Sequence, residues 1–175
     1  HNIRLPEITD QYQERDVIRI LLTYGDKNIP DSPIHPLGHY MIASLEDIID
    51  QFEHSVYKNI IEAYQSFLSK EELPRPEYFT HHPDKEIQSL AIELLTFPYE
   101  YASWEEHDIP MQIQLHPDDN FKKDAHNAIL RLKLKIVMNH IEENQVRLSE
   151  LQTEGNDEEM IIHIRMHYDL LQVRE

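Results

Sequence analysis

Cysteine is absent from the 175-residue sequence, which excludes disulfides, a thiol nucleophile and any cysteine-ligated zinc or iron–sulfur centre. That fits a reducing compartment, and a cytoplasmic location is expected. Glycine is nearly as scarce, at three residues, and threonine is sparse, a composition opposed to the turn-dense pattern of sandwiches and barrels. Basic residues are in deficit: 16 Lys and Arg face 33 Asp and Glu, a formal net charge of −17. Such a field repels phosphate backbones, so direct nucleic-acid binding is not expected and partners should be proteins. No apolar run approaches the ~20 residues needed to cross a bilayer, and no basic region followed by an apolar core opens the chain; neither a membrane span nor a secretion signal is expected. A Gly-rich phosphate loop, a Gly-x-Ser-x-Gly elbow and an Asp-rich calcium loop are missing too. These absences argue against an enzyme more strongly than any single residue argues for one.

What remains is enough to fold. Hydrophobic residues make up 40% of the chain, with nine Tyr, five Phe and one Trp, and they are spread along it rather than confined to one end. The length suits one domain or a compact domain with an appendage. The residues available favour an all-α class.

Apolar spacing places the helices. Asp10 is positioned to cap a helix over residues 10–24 carrying Val17, Ile18, Leu21 and Leu22, with Gly25 as its stop. The segment from Asp26 to Pro36, with three prolines, reads as a loop. Met41, Ile42, Leu45, Ile48, Ile49 and Phe52 form a second helical stripe, and after a cap at Ser55 the residues Val56, Ile60, Ala63, Tyr64 and Phe67 form a third. Pro74 and Pro76 close that run, Ile87, Leu90, Ala91, Leu94 and Leu95 give a fourth face ahead of Pro98, and short helices are expected near Tyr99–Glu106.

From Asp119 to Gln152 neither Gly nor Pro interrupts the chain, so one helix of ~50 Å is predicted at about 1.5 Å per residue. Its early apolar set (Phe121, Ala125, Ala128, Leu132, Ile136) and late set (Leu134, Val137, Ile141, Leu148, Leu151) lie on drifting faces. The first half is expected to join a bundle and the second to project from it. Thr153-Glu154-Gly155-Asn156 forms a turn, and Asp157 caps a last helix. The predicted architecture is thus a helical bundle over residues 1–118, followed by a long helix and C-terminal helical hairpin over residues 119–175.

The last helix is the most informative segment. Ile161, Ile164, Tyr168 and Leu171 form one stripe and Ile162, Met166, Leu170 and Val173 another, nearly opposite at roughly 100° per residue. A two-helix hairpin covers one stripe. The other must meet the bundle, a second copy of the chain or a different protein.

Other clusters have weaker readings. His163 and His167 have the i, i+4 spacing that places two imidazoles on one metal ion, but the metalloprotease glutamate and a third ligand are missing between and around them. His81-His82-Pro83-Asp84 and His116-Pro117-Asp118-Asp119 read as turns leading into helices. Glu105-Glu106-His107-Asp108 offers acid–base groups without the burial or spatial opposition that catalysis needs, so it reads as a polar loop. Lys122, Lys123, Arg131, Lys133 and Lys135 make the one basic stretch; without interleaved aromatics, a solvated helix face is the better reading than a nucleic-acid contact.

Tyr12-Gln13-Glu14-Arg15-Asp16-Val17-Ile18-Arg19-Ile20-Leu21-Leu22-Thr23-Tyr24-Gly25 resembles the opening helix of the C-terminal, helicase-binding region of bacterial DnaG-type DNA primases. Val56-Tyr57-Lys58 with Ile60, Ile61 and Tyr64 resembles a following block, and the long charged helix from Phe121 with its hairpin resembles the end of that region. The resemblance implies a helical bundle with a terminal hairpin that docks onto the hexameric replicative helicase through the helicase's N-terminal domains. The surplus apolar stripe of the last helix and the polar residues beside it, Ile162, Met166, Asp169, Leu170, Val173 and Arg174, are the expected docking face. Nothing in the chain matches the zinc-binding domain or the acidic polymerase core of a full primase. This fragment is therefore expected to be no enzyme itself and to need no cofactor, while its parent would be a nucleotidyltransferase. The chain stops at Val173-Arg174-Glu175, inside a helix expected to continue. Two rivals stand beside this reading: an all-helical, metal-dependent hydrolase built on His and Asp ligands, and a weak homodimer through the last helix.

Overall fold

A computed structural model of the chain describes residues 12–29, 32–96 and 120–174. Their order is α1 (Tyr12–Tyr24), β1 (Asn28–Ile29), β2 (Ser32–Pro36), α2 (Leu37–Leu45), a 3₁₀ turn (Ile49–Gln51), α3 (Ser55–Leu68), α4 (Pro76–Thr80), α5 (Lys85–Thr96), α6 (Phe121–Glu154) and α7 (Asp157–Arg174). The fold is all-α, and among the described residues no helix is long and apolar enough to cross a membrane. Two compact units are present, His1–Ile129 and Leu130–Glu175.

The first unit is built on α1, whose Val17, Ile18, Ile20, Leu21 and Leu22 are all buried. Such a helix, apolar around most of its circumference, is a central one, and α2, α3 and α5 all pack on it. Its acidic first turn is buried as well. The Glu14 carboxylate accepts the Glu53 N–H at 2.7 Å and the His54 N–H at 3.2 Å, giving the free donors ahead of α3 a charged partner and fixing where that helix starts. Arg15 joins α1 to α5 through Glu93 at 2.6 Å.

Gly25 ends α1, as its position predicts, donating its N–H to the Leu21 carbonyl at 2.9 Å. It also permits a close crossing. Gly38 N–H donates to the Gly25 carbonyl at 2.8 Å, and a Cβ added to Gly38 would lie 2.9 Å from that oxygen. Gly38→Ala should therefore force α2 away from α1 and lower stability by about 1–3 kcal/mol, the usual range for overpacking; chemical denaturation measures it, and an unchanged midpoint would contradict the crossing.

Several local expectations need correction. Asp26 to Pro36 is not wholly loop, because β1 and β2 pair antiparallel with a register irregularity between Asn28 and Ile29. The second stripe does not run as one helix: α2 ends at Leu45, and Ile49 belongs to a 3₁₀ turn that leads into Phe52. Ser55 lies inside α3 and His54 caps it, its ring Nδ1 accepting the Val56 N–H at 3.3 Å while the ring stacks on Tyr57. Asp84 leads into α5 as expected, accepting the Glu86 N–H at 2.9 Å. The Asp10 cap, the helices near Tyr99–Glu106, the cluster Glu105–Asp108 and the His116 turn lie outside the described residues.

The long helix α6 has the expected 34 residues, set two positions later in the chain than the expected Asp119–Gln152. Its first turns belong to the first unit, where Phe121 stacks on Tyr24 at 5.8 Å and Tyr40 hydrogen-bonds His126 at 2.8 Å. The remainder pairs with α7.

Candidate docking surface

α6 and α7 form a hairpin around Gly155, whose φ of +72° is a left-handed conformation that glycine adopts without steric cost. Gly155 and Asn156 N–H groups both donate to the Leu151 carbonyl, at 3.0 and 3.2 Å. The cap of α7 is Asn156, not Asp157: Asn156 Oδ1 accepts the Glu159 N–H at 3.3 Å. Asp157 is already helical, and with Glu158 and Glu159 it places acid at the positive end of the helix dipole.

On α6 the seam is Ile141, Asn144 and Leu151, all buried, with Leu148 half-buried. On α7 the least exposed positions are Glu159, Met160, His163, His167 and Leu170. Of the two apolar stripes of α7 only Leu170 turns toward α6, so neither stripe as a whole covers it. A side bearing two histidines faces inward, and both apolar stripes flank it. Ile161, Ile162, Tyr168 and Val173 are 63%, 63%, 64% and 71% exposed. Ile164, Met166 and Leu171 are exposed too, as are Leu134, Met138 and Val146 on α6.

Polar groups explain the inward side. Asn144 Nδ2 donates to the His163 carbonyl at 2.9 Å. Asn144 Oδ1 lies 2.6 Å from His163 Nδ1; an amide oxygen only accepts, so the imidazole carries its proton on Nδ1 and donates. One turn nearer the tip, Arg147 donates to Glu159 at 2.9 Å and to Glu150 at 3.2 Å, and the Arg147 hydrogen bond holds the Glu159 carboxyl below the usual carboxylate range. His167 is left unsatisfied: its Nδ1 is buried without a hydrogen-bond partner among the described residues.

Of the residues expected to dock, Ile162, Met166, Asp169 and Val173 are exposed on α7 and Leu170 is half-buried toward α6. The side chain of Arg174 lies outside the described residues. Ile161, Ile164 and Tyr168, assigned to the other stripe by spacing, are as open as these. His163 and His167 gain no third ligand, and among the described residues no group of three or more His, Cys, Asp or Glu is placed to hold a metal ion. In the basic stretch Lys122, Lys123 and Arg131 are exposed while Lys133 and Lys135 are half-buried.

Residues 4–175 match a family described as a domain of unknown function (DUF8430). The chain belongs to that family. No curated protein and no solved structure matches it. The family match spans both compact units, so the bundle and the hairpin with its exposed apolar face are parts of one family domain.

Proposed function

We propose that this domain is the helicase-docking region of a bacterial DnaG-type DNA primase, and that it uses α7 to seat the primer-synthesising enzyme on the hexameric replicative helicase. The observation that carries the reading is the exposure of both apolar stripes of α7 at every position but Leu170. Solitary apolar residues on a surface are ordinary, whereas a run of Ile, Met, Tyr and Val along one helix marks a surface meant to be covered. A helix presenting anchors at i, i+3 and i+4 is suited to a complementary apolar groove. The resemblance of Tyr12–Gly25 and of the bundle-then-hairpin order to the primase region supplies the identity of the partner. Docking would act by tethering: the catalytic core held at the helicase experiences a raised local concentration of the emerging single strand.

Calorimetric titration into the hexameric helicase of the same cell is the direct test. Saturable binding is expected. Ile162→Ala and Met166→Ala should each weaken it by ~1–2 kcal/mol, or about five- to thirtyfold in Kd, with Tyr168→Ala reporting on the second stripe. Absence of both heat and co-elution, or unchanged affinity in all three variants, would remove this face from consideration.

A further inference from the structure

The α6–α7 seam pairs side chains in a way that hydrophobic burial alone would not choose. At roughly 100° per residue, Glu159, His163, His167 and Leu170 share one side of α7. Ile164, Tyr168 and Leu171 lie round one way, and Ile162, Met166 and Val173 round the other. A rotation of α7 about its axis by roughly 75° one way, or roughly 110° the other, would bring an apolar stripe against Ile141, Leu148 and Leu151. That rotation would bury more apolar surface, which is favourable. The observed setting leaves those stripes in water and puts imidazoles inside.

Two contacts oppose the rotation. Asn144 is buried at 4% exposure and grips both the backbone carbonyl and the ring of His163; turning α7 would strand its amide without a partner in an apolar seam, which is strongly unfavourable. Arg147 holds Glu159, four positions before His163, on the same side. A slip by one turn is opposed as well. It would offer His167 to Asn144, but would set His163 in place of Glu159 before the Arg147 guanidinium. A single buried polar residue fixing the setting of paired helices is a known use of asparagine in helical seams.

From these contacts we infer that Asn144 and His163 form an orienting clamp: they hold α7 in the rotational setting that keeps its apolar stripes outward and available to a partner. Asn144 is a positioning residue, since it touches no partner itself. The importance of the outward face rests on the docking reading above; the orientation does not. In the clamp His163 donates through Nδ1, and its Nε2 faces Glu159, 4.0 Å away.

The cysteine-free chain permits a direct test without helicase. Single cysteines placed by Ile162→Cys or Ile164→Cys report the two outward stripes through their rate of thiol labelling. In the otherwise unchanged chain both should label rapidly. Adding Asn144→Leu together with His163→Leu removes both members of the clamp, and labelling at one of the two positions should slow at least tenfold as that stripe turns inward, with helicity and thermal stability kept or raised. His163→Gln retains a donor for Asn144 Oδ1 and should keep both rates. Unchanged rates in the doubly apolar chain would overturn the clamp. Faster labelling at both positions with loss of helicity would overturn it too, because the pair would then carry stability rather than orientation. Helicase affinity measured on the same variants should fall with the protected stripe; if the helicase binds none of them, the docking reading fails while the labelling result stands.

Discussion

Phe79→Ala is expected to lower the unfolding free energy by about 3–5 kcal/mol, the range for emptying a buried aromatic site. Phe79 is fully buried. Its ring stacks on Tyr64 at 5.3 Å and meets the edge of Tyr78 at 5.1 Å, while Tyr78 in turn meets Phe67 at 4.9 Å. The helix that carries it, α4, is only five residues long and has no other buried side chain. An isolated helix of that length has no stability in water, so α4 depends on this one ring, and the cavity would also loosen the turn that delivers α5. Denaturant unfolding with unchanged slope provides the measurement. A loss below about 1 kcal/mol would mean that neighbouring rings collapse into the space and that α4 is held by its backbone.

The second large effect is at alkaline pH. Tyr64 is almost wholly buried and donates its hydroxyl to the Leu21 carbonyl at 3.0 Å. Burial pushes its pKa far above the usual tyrosine range, with the Asp26 charge acting in the same direction. In the unfolded chain the phenol ionises near its ordinary value of about 10. Below that value the contribution of Tyr64 is fully present. Above it the unfolded chain binds fewer protons than the folded one, so stability falls by about 1.4 kcal/mol per pH unit until the folded-state pKa is reached. Between about pH 10 and about pH 12 the loss from this group should be ~2–3 kcal/mol. Tyr64→Phe should shed that slope. At neutral pH it should cost only about 1 kcal/mol, because the Leu21 carbonyl also accepts the Gly25 N–H at 2.9 Å. Tyr57, likewise shifted upward by burial, stays in both chains and cancels from the comparison. Parallel pH profiles for the two proteins would refute the assignment.

Apolar spacing located α1, α3 and α5 directly, but carried the second stripe, Met41 to Phe52, past the end of α2 at Leu45. Val17, Ile18, Leu21 and Leu22 in α1 and Ile87, Ala91 and Leu94 in α5 are buried as their spacing requires. Boundaries set by unusual chemistry were less legible. His54 ranks low among capping residues, so Ser55 appeared the better candidate; and a strand of two residues such as Asn28–Ile29 is too short to show an alternation. The hairpin illustrates a different gap. Periodicity tells which residues of α7 share a stripe, but not which stripe a neighbour covers. That choice depends on a pair of polar groups separated by 19 positions. A signal was available: folding the chain about Gly155 sets Asn144 opposite His163, and two hydrogen-bonding side chains opposite one another in a seam are a reason to turn that side inward.

The apolar stripes of α7 have one more consequence, for the behaviour of the domain in bulk. A surface of Ile, Met, Tyr and Val that waits uncovered is adhesive to copies of itself. It is carried on a chain with a formal net charge of −17, and like-charged molecules repel before such surfaces touch, over a screening distance of about 8 Å at physiological salt. The acid surplus is therefore a colloidal guard for the adhesive face. Near the isoelectric point of about 5.0 the guard vanishes while the stripes remain, and self-association becomes the easiest way for this surface to leave water.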